Sequence, residues 1–467
     1  MAQIVSNPKK KVHMISLGCA RNRVDSEVMV GKLMGDGWIV SDAPESADAI
    51  VVNTCGFIEA AKEESIDTIL RASEYKQNRP EMKLVVAGCL TQRYKTQLAK
   101  GLPEVDLFIG TDEFPRIDEL LKNPPPKGTV LAKRTHYLYS NELPKVNTLT
   151  KHSAYVKVAE GCQHNCAFCI IPAIRGRLRS RPVANVVAEV ETLVKQGVVE
   201  INLIAQDLAA YGRDLKQTDL LELLRALVGI EGLRWIRLLY VYPENVSDEF
   251  LQFFAQQEKI VKYLDIPMQH ASDRILKLMN RGVTRAELSR TIKRVRELVP
   301  GVAIRTSVMV GFPSENDDDF KQLLDFVKEE RFDHLGCFSY SQEEGTAAGR
   351  MVDQIPEKTK KMRLDKIMRA QRVISKKTLA NYVGTSVQAL VVKTVAEKKN
   401  LWEARMSTQA PEVDGVIYIH ANKIQPGDLV QVAVTESFDY DLVGQLKNPT
   451  KSSQRSSPQS SRIETRA

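Results

Sequence analysis

The chain has 467 residues and a formal net charge of +8, and at this length two or three domains are expected. Hydrophobic residues make up 43% of it and charged residues 27%, which is typical of a soluble globular protein. It has no run of about eighteen apolar residues, so we expect no membrane span, and the first eleven residues lack the apolar segment of a secretory signal. We therefore expect a cytoplasmic protein whose seven cysteines are ligands or buried thiols rather than disulfides.

Residues 12 to about 125 repeat one pattern three times: an apolar strand, then a cysteine, then a helix. This repetition predicts a parallel sheet covered by helices. Ligands of such sheets bind beyond the carboxyl ends of the strands, where each cysteine falls, so we expect the three thiols to meet in one crevice. One buried cysteine would mean little, but three at equivalent positions favour metal ligation over core packing. The cysteines are Cys19, Cys55 and Cys89.

A second group of thiols, Cys162, Cys166 and Cys169, has the spacing C-x₃-C-x₂-C. It follows the predicted strand Tyr155–Val158, so it lies in a loop at the end of that strand. Three thiolates suit an iron–sulfur cluster or a metal ion, and they are one ligand short of a tetrahedral zinc site. A cluster held by three cysteines keeps one iron open. The alternative is a zinc loop whose fourth ligand lies nearby, with His164 as the candidate.

From Ser153 to about Ala348, beyond a proline-rich linker at Pro124–Gly128, strands and helices alternate again. Six β-α units in about 195 residues predict a parallel barrel that is open at one side, because a full barrel has eight. The chemistry of such a barrel lies at the carboxyl ends of its strands, where the cysteine loop falls. The predicted strands are Tyr155–Val158, Glu200–Ile204, Trp235–Leu239, Tyr263–Ile266, Ala303–Val310 and His334–Phe338.

The carboxyl-terminal part changes character after a charged helix at Glu357–Leu379. Short strands with a period of two, at Gly384–Gln445, predict a small all-β barrel. Residues 447–467 are rich in Ser and Arg, which predicts a disordered tail. Most of the net positive charge lies in this tail and the helix, so it does not by itself indicate nucleic-acid binding.

The predicted fold class is therefore α/β multidomain. It comprises a three-layer α/β domain, a partial (β/α)6 barrel, a helical connector, a small all-β barrel and a disordered basic tail. The predicted boundaries are 11–125, 148–350, 351–383, 384–446 and 447–467.

The cysteine loop, with Phe168 before its last cysteine, resembles that of the radical S-adenosylmethionine (SAM) superfamily. With the upstream three-cysteine domain and the terminal β module, the chain resembles the radical SAM methylthiotransferases from Lys11 to Gln445. The likeness is greatest to the branch that modifies an aspartate of small-subunit ribosomal protein S-twelve. The stretches that carry it include Gly18–Asn22, Val24–Glu27, Ile170–Gly176, Leu264–Ser272 and Gly336–Ser341.

The resemblance implies two [4Fe-4S] clusters and SAM as cofactors. The cluster in the barrel would bind SAM at its open iron, and an electron from a reducing donor would yield a 5′-deoxyadenosyl radical. The auxiliary cluster would supply the sulfur that is methylated and transferred. The implied ligands are Cys162, Cys166 and Cys169 for the first cluster and Cys19, Cys55 and Cys89 for the second.

Four further residues are implied as cofactor contacts: Gln206, Gly311, Pro313 and Glu315. The last three belong to a stretch that resembles the family's Gly-x-Pro-x-Glu motif. Ser314 stands where that motif commonly has glycine, which leaves a close backbone approach there in question. A strand-ending turn would explain Gly311 and Pro313 equally well.

Two features favour the ribosomal-protein branch. The tRNA-modifying branch usually has Arg-Pro-Gly-Thr where this chain has Glu343–Thr346. The terminal β module carries eight acidic and five basic residues, which suits a basic partner better than RNA, although it could instead only pack on its neighbours. We therefore expect an enzyme that adds a methylthio group to the β-carbon of an aspartate in a basic small-subunit ribosomal protein, free or on the ribosome. The alternatives are a methylthiotransferase acting on a modified adenosine of tRNA and a non-catalytic iron–sulfur or zinc module.

Overall fold

The structure, a computed structural model, describes residues 10–133, 136–216, 218–396 and 398–447, with only the backbone of Asn245. Beyond residue 447, the predicted tail lies outside the described residues. In the described parts of the chain, no helix has the length and apolar character that a membrane crossing requires.

The amino-terminal domain is built on six parallel strands in the order β2-β1-β3-β4-β5-β6. Its helices cover both faces, because neighbouring residues of β3 such as Ile50 and Val51 pack into separate apolar clusters on opposite sides. The strands are Lys11–Ser16 (β1), Ile39–Val40 (β2), Ala49–Thr54 (β3), Lys83–Gly88 (β4), Leu107–Ile109 (β5) and Thr129–Leu131 (β6). The helices are Ala20–Gly35 (α1), Glu59–Asn78 (α2), Cys89–Gly101 (α3) and Ile117–Lys122 (α4).

This sheet extends past the predicted boundary at residue 125, because β6 pairs with β5 on the far side of the proline-rich stretch. The stretch predicted to be a linker thus connects α4 to the last strand of the same sheet.

All six predicted strands of the second domain pair in parallel, in the order β14-β13-β12-β11-β10-β7. An open six-stranded parallel sheet confirms the partial barrel. The strands, including two short ones, are Ser153–Lys157 (β7), Ala159–Glu160 (β8), Arg179–Ser180 (β9), Glu200–Ile204 (β10), Trp235–Leu238 (β11), Ile260–Asp265 (β12), Ala303–Val310 (β13) and His334–Ser339 (β14). The helices are Ile171–Arg175 (α5), Val183–Lys195 (α6), Leu220–Val228 (α7), Asp248–Gln256 (α8), Asp273–Leu278 (α9), Arg285–Leu298 (α10) and Asp317–Glu330 (α11).

A 24-residue helix, Glu357–Ala380 (α12), leads from this domain to a closed five-stranded barrel, which we call the β module. The closed barrel confirms the predicted all-β module, and closure removes the exposed edges that short strands would otherwise have. Its strands are Ser386–Thr394 (β15), Leu401–Met406 (β16), Ile417–His420 (β17), Leu429–Ser437 (β18) and Leu442–Leu446 (β19).

The β module closes one end of the partial barrel. Glu200, the first residue of β10, pairs with Arg405 of the module. Asp414 of the module accepts a hydrogen bond from Tyr263 at 2.7 Å and lies 3.3 Å from Arg305. These contacts lie toward the amino-terminal ends of the strands, so the opposite end, with the cysteine loop, is left for chemistry.

Candidate functional site

Cys19, Cys55 and Cys89 follow β1, β3 and β4, which are adjacent in the sheet. Their loops touch: a β-carbon on Gly18 would come within 2.8 Å of Cys55 Cβ, and Gly18 has a φ of +87°. A β-carbon on Gly56 would likewise come within 3.0 Å of the Cys89 backbone. Glycine is needed at both places for the loops to approach so closely. The structure thus brings these three cysteines, which we call the auxiliary triad, to one edge of the sheet.

Cys162, Cys166 and Cys169, which we call the barrel triad, lie in a loop that follows β8 and is held at several points. The Cys162 N–H donates to the Gly176 carbonyl at 3.1 Å. His164 hydrogen-bonds to Asp207 at 2.7 Å and stacks on the Tyr242 ring, with centroids 3.9 Å apart and planes 8° apart. His164, the candidate fourth zinc ligand, is therefore already engaged by its neighbours.

Arg281 places a buried positive charge beside the barrel triad. Its guanidinium lies over the Tyr242 ring at 3.9 Å, and its Nη1 is 3.9 Å from Cys166 Sγ. Its Nη2 donates to the Pro267 carbonyl at 2.8 Å. It is only 7% exposed, and among the described residues its Nε has no hydrogen-bond partner. A cation with no paired carboxylate suits a neighbour that carries negative charge, as thiolate-ligated clusters do.

Arg175, in the helix that follows the barrel triad, reaches the auxiliary triad. Its Nη2 lies 3.2 Å from Cys89 Sγ and donates to Asn22 Oδ1 at 2.6 Å. Its Nη1 donates to Asp25 at 2.7 Å and lies 3.4 Å from Glu160. All five side chains belong to the interface between the first two domains, so one arginine connects the barrel triad's loop to the other triad.

Lys157 completes this buried network. Its Nζ donates to Asp25 at 2.5 Å and to Glu160 at 2.7 Å. Gln206, a predicted cofactor contact, donates to the other Glu160 oxygen at 2.6 Å. Burial would raise the pKa of Glu160, but Lys157 and Arg175 outweigh it and hold that pKa well below its usual range. The charges therefore stabilise the interface in a water-poor setting, where removing one partner is costly.

The surroundings of the thiols shift their pKa values in different directions. Burial alone would raise the pKa of Cys19, but Arg21, backbone N–H groups and Arg175 outweigh it and lower that pKa. Burial raises the pKa of Cys55 to about 12, with a smaller contribution from Cys89. It also raises the pKa of Cys169 to about 12. Buried thiols of this kind become thiolates when a metal replaces the proton.

Glu343 fixes the amino-terminal domain against the barrel. Its carboxylate is 2% exposed and pairs with Arg93 at 2.7 Å and with Lys62 at 3.0 Å, both from that domain. Arg93 also donates to the Gly56 carbonyl at 2.8 Å, beside Cys55. A carboxylate from the barrel domain thus adds to the Arg175 and Lys157 contacts that hold the auxiliary triad's domain against the barrel.

The predicted Gly311–Glu315 stretch forms a tight turn after β13. Glu315 is buried, accepts the Gly311 N–H at 2.7 Å and pairs with Arg363 of α12 at 2.8 Å. A β-carbon on Gly311 would come within 2.3 Å of Lys360 of the same helix. Ser314 has a φ of +67°, a conformation that favours glycine, which explains why glycine is common there. Glu315 therefore anchors the turn, with Pro313 inside it, and direct contact with a cofactor remains a prediction.

Among the described residues, no three His, Cys, Asp or Glu side chains are grouped closely enough to hold a single metal ion. Three thiols with an arginine beside them fit a cluster ligated by three thiolates. A zinc loop would need a fourth ligand, and the candidate, His164, is paired with Asp207.

Comparisons with known proteins agree with this architecture. Residues 11–110 match the family described as "Uncharacterized protein family UPF0004", 156–327 the radical SAM superfamily, and 383–446 the TRAM domain. "Ribosomal protein uS12 methylthiotransferase RimO" of Geobacter sulfurreducens is 46% identical over 445 residues, covering 95% of this chain and 100% of the relative. The protein of the same name from Syntrophotalea carbinolica is 47% identical over 450 residues, covering 96% and 99%.

The chain belongs to the RimO family of radical SAM methylthiotransferases. The residues that resemble the family's cluster ligands are the two triads that the structure places on either side of the domain interface. The resemblance of the sequence motifs to the branch that modifies ribosomal protein S-twelve is confirmed by relatives that match over almost their full length.

Solved structures show the same fold more distantly. The radical SAM methyltransferase TsrM of Kitasatospora setae, solved with cobalamin and a [4Fe-4S] cluster, has a TM-score of 0.53 and 15% identity, covering 85% of this chain and 81% of that one. The cobalamin-dependent enzyme OxsB has a TM-score of 0.51 and 14% identity, covering 79% and 56%. At these identities the likeness concerns the fold alone.

Arg175, Arg281 and Glu343 were not predicted to act at the site. Each is brought to a triad or its domain by contacts between residues far apart in sequence. Arg175 and Glu343 lie in stretches that support the family resemblance, but those stretches do not indicate which residues they contact.

Proposed function

We propose that this chain is a radical SAM methylthiotransferase that adds a methylthio group to the β-carbon of an aspartate in ribosomal protein uS12. The observation that carries the proposal is that Arg175, in the helix that follows the barrel triad, contacts Cys89 of the auxiliary triad across the buried interface between the first two domains. Relatives named for this activity match the chain at 46–47% identity over nearly their full length, which supports the choice of substrate.

The barrel triad would hold the [4Fe-4S] cluster that binds SAM, and the auxiliary triad would hold the second cluster. Bound there, reduced cluster and SAM supply a radical able to remove hydrogen from an unactivated C–H bond. The chain's own part is to position both groups and exclude water. Arg281 places a cation at Cys166, Arg175 holds Cys89, and Glu343 fixes the auxiliary domain.

The proposed partner is the basic ribosomal protein itself, in the cytoplasm and either free or on the ribosome. The β module turns an aromatic loop outward: Phe438 is 52% and Tyr440 42% exposed, on either side of Asp439, whose carboxylate lies 3.9 Å from Arg372 and from Lys376 of α12. Exposed aromatic side chains on a module with a net negative charge suit a basic protein surface. A separate reducing protein or reagent would provide the electron.

A tRNA substrate is less well supported. This chain has Glu343 where the tRNA-modifying branch usually has arginine, and Glu343 has a specific role here because it pairs with Lys62 and Arg93 of the amino-terminal domain. The acidic β module would also repel phosphates.

The proposal is tested by mass spectrometry of small-subunit proteins and tRNA from cells that lack this chain. We expect uS12 to lose one methylthio group, and the intact gene but not the Cys169→Ala variant to restore it. Loss of methylthio from a tRNA adenosine, with uS12 unchanged, would refute the proposal in favour of the tRNA branch.

A further inference from the structure

Arg21 lies at the mouth of the barrel although it belongs to the amino-terminal domain. It is the second residue of α1, two residues after Cys19. Its Nη1 donates to the Ala205 carbonyl at 2.9 Å, and its guanidinium lies 4.7 Å from the centre of the Tyr240 ring. Ala205 directly follows β10, and Tyr240 follows β11. The first turn of α1 therefore carries a cation to the carboxyl-terminal ends of the barrel strands, where substrates of such barrels bind.

Arg21 is close to both sites by its position in the fold. It lies two residues after Cys19 of the auxiliary triad, and it hydrogen-bonds to the end of β10 in the domain that carries the barrel triad.

Arg21 differs from the other cations of this region in what it pairs with. Lys157 and Arg175 each contact two carboxylates, and Arg305 likewise contacts Asp265 and Asp414. Within the ranges the structure describes, Arg21 pairs with no carboxylate and donates one hydrogen bond, to a backbone carbonyl.

Exposure separates Arg21 from Arg281. Arg281 also lacks a carboxylate partner among the described residues, but it is 7% exposed and closed in against Tyr242. Arg21 is only partly buried. An arginine presents five N–H donors in a fork that matches a carboxylate, and the Arg21 side chain uses one of them, so it has donors left for an anionic group.

We propose that Arg21 binds the side-chain carboxylate of the substrate aspartate and so holds its β-carbon between the two triads. This rests on the proposed function, which places the reaction on the carbon next to that carboxylate. A bidentate arginine–carboxylate pair in a partly desolvated site fixes both position and orientation. It would also make the enzyme select aspartate over asparagine, which has the same shape without the charge.

The test uses holoenzyme reconstituted with iron and sulfide and a uS12 peptide that carries either Asp or Asn at the target position. Wild type, Arg21→Gln and Arg21→Lys are compared for KM, kcat and the Asp-to-Asn ratio of kcat/KM. Iron content and deoxyadenosine formation without peptide are measured in parallel. The matched control is Arg23→Gln, on the same turn of α1, where Arg23 pairs with Glu412 of the β module.

We expect wild type and Arg23→Gln to prefer the Asp peptide by about 30-fold or more, the effect of losing one partner of a desolvated charge pair. Arg21→Gln should lose most of that preference through a raised KM for the Asp peptide, and Arg21→Lys should keep part of it. Iron content and peptide-free deoxyadenosine should stay at the wild-type level in Arg21→Lys, which keeps the positive charge beside Cys19.

The inference is overturned if Arg21→Gln keeps the wild-type KM and the Asp preference, or if wild type does not discriminate between the peptides. If Arg21→Gln fails to bind iron, the inference is still tested by the Asp-to-Asn ratio of kcat/KM in wild type and in Arg21→Lys. A wild-type holoenzyme that cleaves SAM but modifies neither peptide would instead refute the proposed function.

Discussion

Replacing Glu200 with glutamine is expected to loosen the β module from the barrel. Glu200 is fully buried and pairs with Arg405 and, at 3.1 Å, with Arg237. Burial would raise its pKa, but the two arginines outweigh this and lower the pKa from 4.5 to about 2. That fall corresponds to about 3 kcal/mol of folding free energy at neutral pH.

A second estimate agrees, because removing one partner of a buried ion pair costs about 3–5 kcal/mol. Part of this cost falls on the contact between domains, because Arg405 belongs to the β module and Arg237 donates to the Ser407 carbonyl of that module at 2.7 Å.

Denaturant unfolding at pH 7, followed by tryptophan fluorescence and limited proteolysis, measures the loss. The control, Glu436→Gln, changes an exposed carboxylate of the same module and should stay within about 0.5 kcal/mol of wild type. The stabilisation is present above pH 4.5 and is lost as the pH falls toward 2, so the difference between wild type and Glu200→Gln should shrink over that interval. A difference below about 1 kcal/mol at pH 7, or one that does not shrink in acid, would refute the reasoning.

Three further changes probe the site. Cys169→Ala should lower the iron content of anaerobically reconstituted protein from about eight to about four atoms per chain and abolish deoxyadenosine formation, whereas Cys337→Ala, in a strand packed on the core, should keep both. Arg281→Met removes a cation 3.9 Å from Cys166 and should lower the reduction potential of the barrel cluster in an EPR titration; an unchanged potential would count against a cluster at Cys166. Glu343→Gln leaves Lys62 and Arg93 without their carboxylate and should speed proteolysis between the first two domains. If the variant is cleaved at the same rate as wild type, Glu343 does not hold the two domains together.

The sequence pattern predicted the elements that local physics determines. The apolar runs before Cys19, Cys55 and Cys89 form neighbouring parallel strands. The six strands predicted for the barrel all pair in one sheet. Such strands can be predicted from the sequence because a buried parallel strand is apolar along its whole length. The short strands β2, β5 and β6 were not predicted, since two or three residues are too few for a periodic signal.

The contacts that connect the domains could not be predicted in this way. Arg175 and Cys89 are 86 residues apart in the chain, and Arg93 and Glu343 are 250 apart. Arg175 and Glu343 lie in stretches that support the family resemblance, but only the fold shows that Arg175 contacts Cys89 and that Glu343 is buried against Arg93. Glu315 differs from these residues, because it lies in a recognisable motif that suggested a cofactor contact. In the structure its carboxylate pairs with Arg363 and so anchors the turn.

The proposed aspartate methylthiotransferase activity is tested most directly by mass spectrometry of purified uS12 after incubation with the reconstituted chain, SAM, sulfide and a reductant. A parallel reaction contains tRNA in place of uS12. We predict that one aspartate of uS12 gains a single methylthio group, that each triad is required, and that tRNA is unchanged. Unmodified uS12 together with a methylthiolated adenosine in tRNA would contradict the proposal.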